Sequence, residues 1–161
     1  MSPEFVLKLS KYPNFPKVAE DLIRIVGLAA AAILMTAWGG QEYPVPKVVG
    51  GGNKMGASRY GRIVELIGEP AAVALVREYG GERVAIPSLK SVKWSFIQET
   101  IREDYDQLIA SGLSSPDAVF ELGVRYGVSG RAVEKIIKRC ISFTATSSQS
   151  VESSQHHGAS V

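Results

Sequence analysis

The chain is poor in the residues from which catalytic and metal sites are built. It has one cysteine, Cys140, which excludes an internal disulfide framework and a cysteine-based zinc cage. Its two histidines, His156 and His157, are adjacent in a polar C-terminal stretch, and a tail pair of that kind is not a metal site. No histidine is placed to activate Cys140, so the thiol reads as a spectator. No set of acids, bases or ligands assembles, and the expectation is a non-enzymatic protein with no cofactor. A dominant charge is lacking too. Eighteen basic residues against sixteen acidic leave +2, so an argument for a nucleic-acid partner must rest on where the charges sit. Long hydrophobic runs are also missing. The longest, Ile25 to Met35, is broken by Gly27, and even extended to Trp38 it falls short of the roughly 20 residues a spanning helix needs. No basic stretch leads into it as in a secretory signal. These absences predict a protein without a membrane partner, in a reducing, cytoplasmic setting.

What is present begins with an internal repeat. Leu22–Pro46 aligns with Ile63–Pro87 at a constant shift of 41 (63 − 22), without a gap, and seven of 25 positions are identical. The identities include Gly27/Gly68, Leu34/Leu75, Gly39-Gly40/Gly80-Gly81 and Pro46/Pro87. Chance apolar matching would not also align the glycine pairs and the closing proline. Each copy reads as helix, break, helix, Gly-Gly turn and short strand. Pro70 suits a first helical turn, and Gly80-Gly81 suits a C-terminal stop. Glu69, Arg77 and Glu78 of the second copy replace Leu28, Thr36 and Ala37 of the first. The first copy's second helix is thus apolar nearly all round, which predicts copy one at the centre of the core and copy two outside it. Gly50-Gly51-Gly52-Asn53-Lys54-Met55-Gly56 lacks the Gly-Lys-Ser/Thr ending of a phosphate loop and reads as a flexible linker.

Beyond Pro87 the row Ile97, Ile101, Tyr105, Leu108 recurs at helical spacing and predicts a helix over about Ser91–Ala110. Its polar face carries Glu99, Glu103, Asp104 and Asp106, read as a solvated face. Ser115-Pro116-Asp117 then opens another helix, with Ser115 as its cap. Gly127 turns the chain, Val128 plugs the core, and Ser129 caps a last helix reaching about Arg139. Small Gly123 allows close approach, and Val133 and Ile136 face back. The spacing Gly123–Gly127–Val133–Ile136 is the pattern of a helix-turn-helix. In that unit the second helix lies in the major groove. Ser129, Gly130, Arg131, Glu134 and Lys135 fall at base-reading positions, and Lys138 and Arg139 suit phosphates. Four basic residues and one acid between Ser129 and Arg139 (4 − 1 = +3) give a near-neutral chain one basic end.

The segment Leu66–Ile86, with Gly68, Tyr79-Gly80-Gly81 and the Ile86-Pro87 ending, followed by a helix and this helix-turn-helix, resembles the Mor transcription activator family of Mu-like phages. The likeness covers about Tyr60 to Arg139. It implies a dimerisation module whose strand pairs across subunits, and activation of phage promoters beside host RNA polymerase. It also implies strand residues near the minor groove, here Glu82 and Arg83. The chain departs from that layout in carrying the module twice and in lacking a strongly basic extension after the last helix.

The reading that results is a mostly α fold. A duplicated helix-helix-strand module forms a helical core with a two-stranded antiparallel ribbon, and a C-terminal helix-turn-helix follows. Its expected parts are an arm (1–15), copy one (16–47), a glycine-rich linker (48–59), copy two (60–88), the linking helix with the helix-turn-helix (89–140), and a disordered tail (141–161). The expected partner is double-stranded DNA, bound through Ser129, Gly130, Arg131, Glu134, Lys135, Lys138, Arg139, Ser115 and Arg83. Host RNA polymerase is the second partner, and a homodimer is expected, with a self-paired monomer as the alternative. The rival function is protein–protein assembly through a helical hairpin that does not touch DNA.

Overall fold

A serine followed by proline opens the first helix. Ser2 Oγ accepts from the Phe5 N–H at 3.2 Å, Pro3 fills the first turn, and α1 (Pro3–Leu9) buries Val6 and Leu9 completely. The stretch expected as an arm is therefore partly a core helix. The computed structural model describes the backbone of residues 1–148 and the side chains of residues 1–139. Within that range it is mostly helical, with a single two-stranded sheet. It divides into two compact units, the first Met1–Ser95 and the second beginning at Phe96.

In the first unit α1 is followed by α2 (Lys17–Val26), α3 (Leu28–Trp38) and β1 (Glu42–Pro44). Then come α4 (Lys54–Ile67), α5 (Glu69–Tyr79) and β2 (Arg83–Ala85). A single glycine separates the helices of each pair. Gly27 has φ 88°, ψ 159° and Gly68 φ 84°, ψ 163°, a region open essentially to glycine alone. The reversal it makes ends one helix and starts the next with no loop. Element ends coincide at the shift of 41: 27 with 68, 28 with 69, 38 with 79, 42 with 83. So does the core. Ala19, Leu22, Ala31, Leu34, Met35 and Val45 are buried, as are Tyr60, Ile63, Ala72, Leu75, Val76 and Ile86, 41 positions on.

That equality corrects the inside–outside ordering. Helix α3 is apolar nearly all round, yet Ile33 is 44% exposed and Ala29, Thr36 and Ala37 face solvent. α3 and α5 bury the same face. A helix with almost no polar side still has a solvent side when small residues, here Ala29, Thr36 and Ala37, supply most of its positions.

β1 and β2 pair antiparallel, with Glu42 opposite Ala85, Tyr43 opposite Val84 and Pro44 opposite Arg83. Val45 donates to the Glu82 carbonyl at 2.9 Å and Ile86 to that of Gln41 at 2.8 Å. Antiparallel pairs alternate between bonded and non-bonded, so Pro44 falls at a non-bonded position where its missing N–H is not needed. The connector from β1 to α4 is ordered rather than a free linker. Gly51 donates to the Val48 carbonyl, Asn53 to that of Gly51, and Asn53 Oδ1 caps α4 through the Gly56 N–H at 2.8 Å.

The second unit holds the part of α6 (Lys90–Ala110) from Phe96 on, α7 (Ser115–Tyr126) and α8 (Gly130–Ser148). Its core is Ile101, Leu122, Val133 and Ile136, flanked by Ile97, Tyr105, Leu108, Val119, Tyr126, Val128 and Ile137. α8 runs past the expected end near Arg139. The disordered tail expected from 141 lies, beyond 148, outside the described residues. Among the described residues no helix is long and apolar enough to cross a membrane.

Candidate nucleic-acid interface

The candidate site is built on the joint between α7 and α8. Ser114, rather than Ser115, caps α7: its Oγ accepts from the Asp117 N–H and donates to Asp117 Oδ2. Ser115 is the first helical residue and accepts from Tyr105 Oη at 2.9 Å, tying the start of α7 to α6. At the other end Gly127 adopts a left-handed conformation (φ 65°, ψ 33°). Its N–H and that of Val128 both turn back to the Gly123 carbonyl. A Cβ at Gly123 would stand 3.0 Å from the Val128 carbonyl oxygen, so the turn closes against a helix that has no side chain there. Ser129 Oγ then accepts from the Ala132 N–H at 3.2 Å and caps α8, as expected. Gly127, Val128 and Ser129 are the whole connection.

With the turn this short, the faces of α8 are fixed. Val133 and Ile136 are buried and Ile137 is half-buried against the core. Arg131, Glu134, Lys135, Lys138 and Arg139 are exposed, as is Ser129. Gly130 is half-buried, its Cβ position 3.4 Å from Val119. Seven of the expected residues therefore lie on one helix or its cap. Ser115 is exposed at the start of α7, and Arg83 is exposed on β2 in the first unit.

Two polar clamps hold this arrangement. Arg102 Nε donates to the Ile136 carbonyl at 3.2 Å, joining α6 to α8. Asp104 Oδ2 accepts from Tyr126 Oη at 2.6 Å and from Arg125 Nη1 at 3.0 Å, joining α6 to the end of α7. Burial, the bond to Asp104 and that carboxylate's charge push the Tyr126 phenol up to about 12. Asp104 was expected on a solvated acidic face. It is instead half-buried and structural, while Glu103 and Asp106 remain exposed.

Sequence reasoning missed two features, one on each unit. Phe120 and Val124 are 73% and 69% exposed on the outer side of α7. Their i, i+4 spacing opposite buried Ala118 and Leu122 was the available signal. The second is a basic set outside α8: Arg59 and Arg62 on α4 and Lys47 in the connector. Comparing the repeat copies position by position would have found the two arginines, since Val18 and Asp21 stand at the equivalent places. Among the described residues no group of three or more His, Cys, Asp or Glu could hold a metal ion.

Residues 57–151, more than half of the chain, match the Mor transcription activator family. No curated protein and no solved structure matches the chain.

Proposed function

This chain belongs to the Mor transcription activator family, and from that premise we propose that it is a sequence-specific activator of phage or prophage promoters that reads double-stranded DNA with α8. The observation that carries the reading is the exposed face of α8. A three-residue turn places Arg131, Glu134 and Lys135 in the first turns of the helix, opposite its buried Val133/Ile136 face. Such a helix fits the major groove with its N-terminal part on base edges. Arginine and lysine pair there with guanine, and glutamate accepts from cytosine. Lys138 and Arg139, further along, suit phosphates, which position the protein without reading sequence. Host RNA polymerase is the second partner that activation requires, and the exposed Glu103 and Asp106 of α6 are acidic groups available to it.

The test is a gel-shift titration on duplex DNA selected from a randomised library by the full chain. Arg131→Ala and Lys135→Ala should each weaken binding to the selected duplex by about 1–3 kcal/mol while leaving unrelated DNA nearly unaffected. Arg139→Ala should weaken both duplexes alike and lower the salt slope by about one. If neither Arg131→Ala nor Lys135→Ala changes affinity for the selected duplex, α8 is not the reading helix and assembly becomes the better account.

A further inference from the structure

The repeat and the ribbon share a geometry that neither shows alone. Tyr43 and Val84 are equivalent under the shift of 41 (84 − 43), and they are paired with each other in the ribbon. Glu42 pairs with Ala85 and Pro44 with Arg83, so each pair exchanges the roles of the two copies. The hydrogen bonds obey the same exchange. Val45 to Glu82 is matched by Ile86 to Gln41, and Gly81 to Val45 by Gly40 to Ile86. The helices follow: α2 packs on α5 and, reciprocally, α4 packs on α3. This is the arrangement of a two-fold dimer, in which residue i of one chain meets j of the other and j meets i. Here both partners belong to one chain. The connector that joins them is tied down, with Asn53 capping α4 and Lys47 packed beside Gly80 and Gly81.

The charges break the symmetry. Arg59, Arg62 and Arg83 of copy two correspond to Val18, Asp21 and Glu42 of copy one. A cavity of about 360 Å³ lined by Lys47, Arg59 and Arg83, with Glu82 as its one acid, lies on the basic side. The position equivalent to Lys47 is Ser88. None of these four basic side chains forms an ion pair among the described residues. Only copy two, moreover, is followed by α6, α7 and α8; copy one runs directly into the connector.

We propose that the first unit is a dimer folded from a single chain, and that the protein engages DNA as a monomer on one asymmetric site. In that complex the unit touches backbone phosphates through Lys47, Arg59, Arg62 and Arg83 of one half only. The phosphate role rests on the DNA-binding reading above; the single-chain dimer does not. One recognition helix per chain reads one half-site, whereas a symmetric operator needs two such helices about 34 Å apart.

Two experiments separate the parts. The first uses Glu42→Cys with Ala85→Cys, exposed residues at a non-bonded pair, in a Cys140→Ser background. Oxidation should give an internal cross-link and a band at the 17.3 kDa of one chain. Light scattering of the unmodified protein should give the same mass. A covalent dimer overturns the single-chain unit, and a scattering mass of two chains overturns the monomer. The second measures binding to the library-selected duplex against salt concentration. Replacing Arg59, Arg62 and Arg83 together by Ala should lower the salt slope by about 2.7, from 0.9 per lost contact. Replacing Lys17 and Arg24 on the other half by Ala should leave the slope unchanged. Equal losses from both halves, or none from the arginines, overturn the one-sided contact. If the unmodified chain binds no duplex, the DNA reading and the one-sided contact both fall, while the cross-link still decides the single-chain dimer.

Discussion

Tyr126 is where a single proton bears on the fold. Its phenol is held to about 12, against an ordinary 10.0, by burial and by the bond to Asp104. The sign follows from which form the fold prefers. A neutral phenol is bound more tightly in the native state, so its contribution is complete below about pH 10 and fades as pH rises through about 12. Tyr126→Phe has no such proton to lose. Its melting temperature should therefore gain on the parent's between pH 8 and about pH 12, as the parent alone ionises. A constant gap across that range would show that the hydroxyl is not linked to folding. Gly27 and Gly68 give a second test at the same scale. An added Cβ meets nothing within 4 Å at Gly27, and at Gly68 only Pro70 Cδ at 4.0 Å. Replacement by alanine is thus a pure backbone cost, about 1–3 kcal/mol at either position. Urea denaturation reads it, and a neutral result at either site would mean the chain relaxes out of the glycine-only region.

The starts and stops of the helices were largely legible because they are local chemistry. Pro70, Gly80-Gly81, Ser129 and Gly127 mark boundaries with their own dihedral or capping preferences, and the elements end where those residues stand. The row Ile97, Ile101, Tyr105, Leu108 lies against one core for the same reason. Ser2-Pro3 carried the same start signal and was passed over, because the residues after it are too few to show a period. Ser114 and Ser115 could not be separated by type, since either can cap the helix; Pro116 fits the first or second helical position. Burial was harder. The apolar composition of α3 pointed to a central helix, but burial is set by what packs on each face, and α3 and α5 present equivalent faces. Leu34→Ala and Leu75→Ala, both fully or almost fully buried, should each cost about 2–5 kcal/mol. Ala31→Glu and Ala72→Glu should be comparably damaging, since both sites are inaccessible and an unpaired buried charge is costly at either. Chemical denaturation of the four variants checks this, and marked tolerance in one copy alone would restore an inner and an outer module.

At the scale of the whole molecule, the repeat and an antiparallel ribbon were legible, and the register in which the two strands meet was not. Strand register depends on residues forty positions apart, and nothing local at Tyr43 or Val84 announces that they are opposite. Nor did the near-zero net charge reveal that Arg59, Arg62 and Arg83 gather on one copy; that needed the copies set side by side. The connector Val45–Asn53 carries a further consequence. Two separate chains making this ribbon would find each other only by diffusion, and dilution would part them. A short tether instead holds one half beside the other at an effective concentration on the order of millimolar, whatever the number of molecules in the tube. Melting of the first unit should then be the same across a hundredfold dilution, where a two-chain assembly would lose stability by mass action. The covalent thread substitutes for abundance, and a protein present in few copies keeps its two-fold unit assembled.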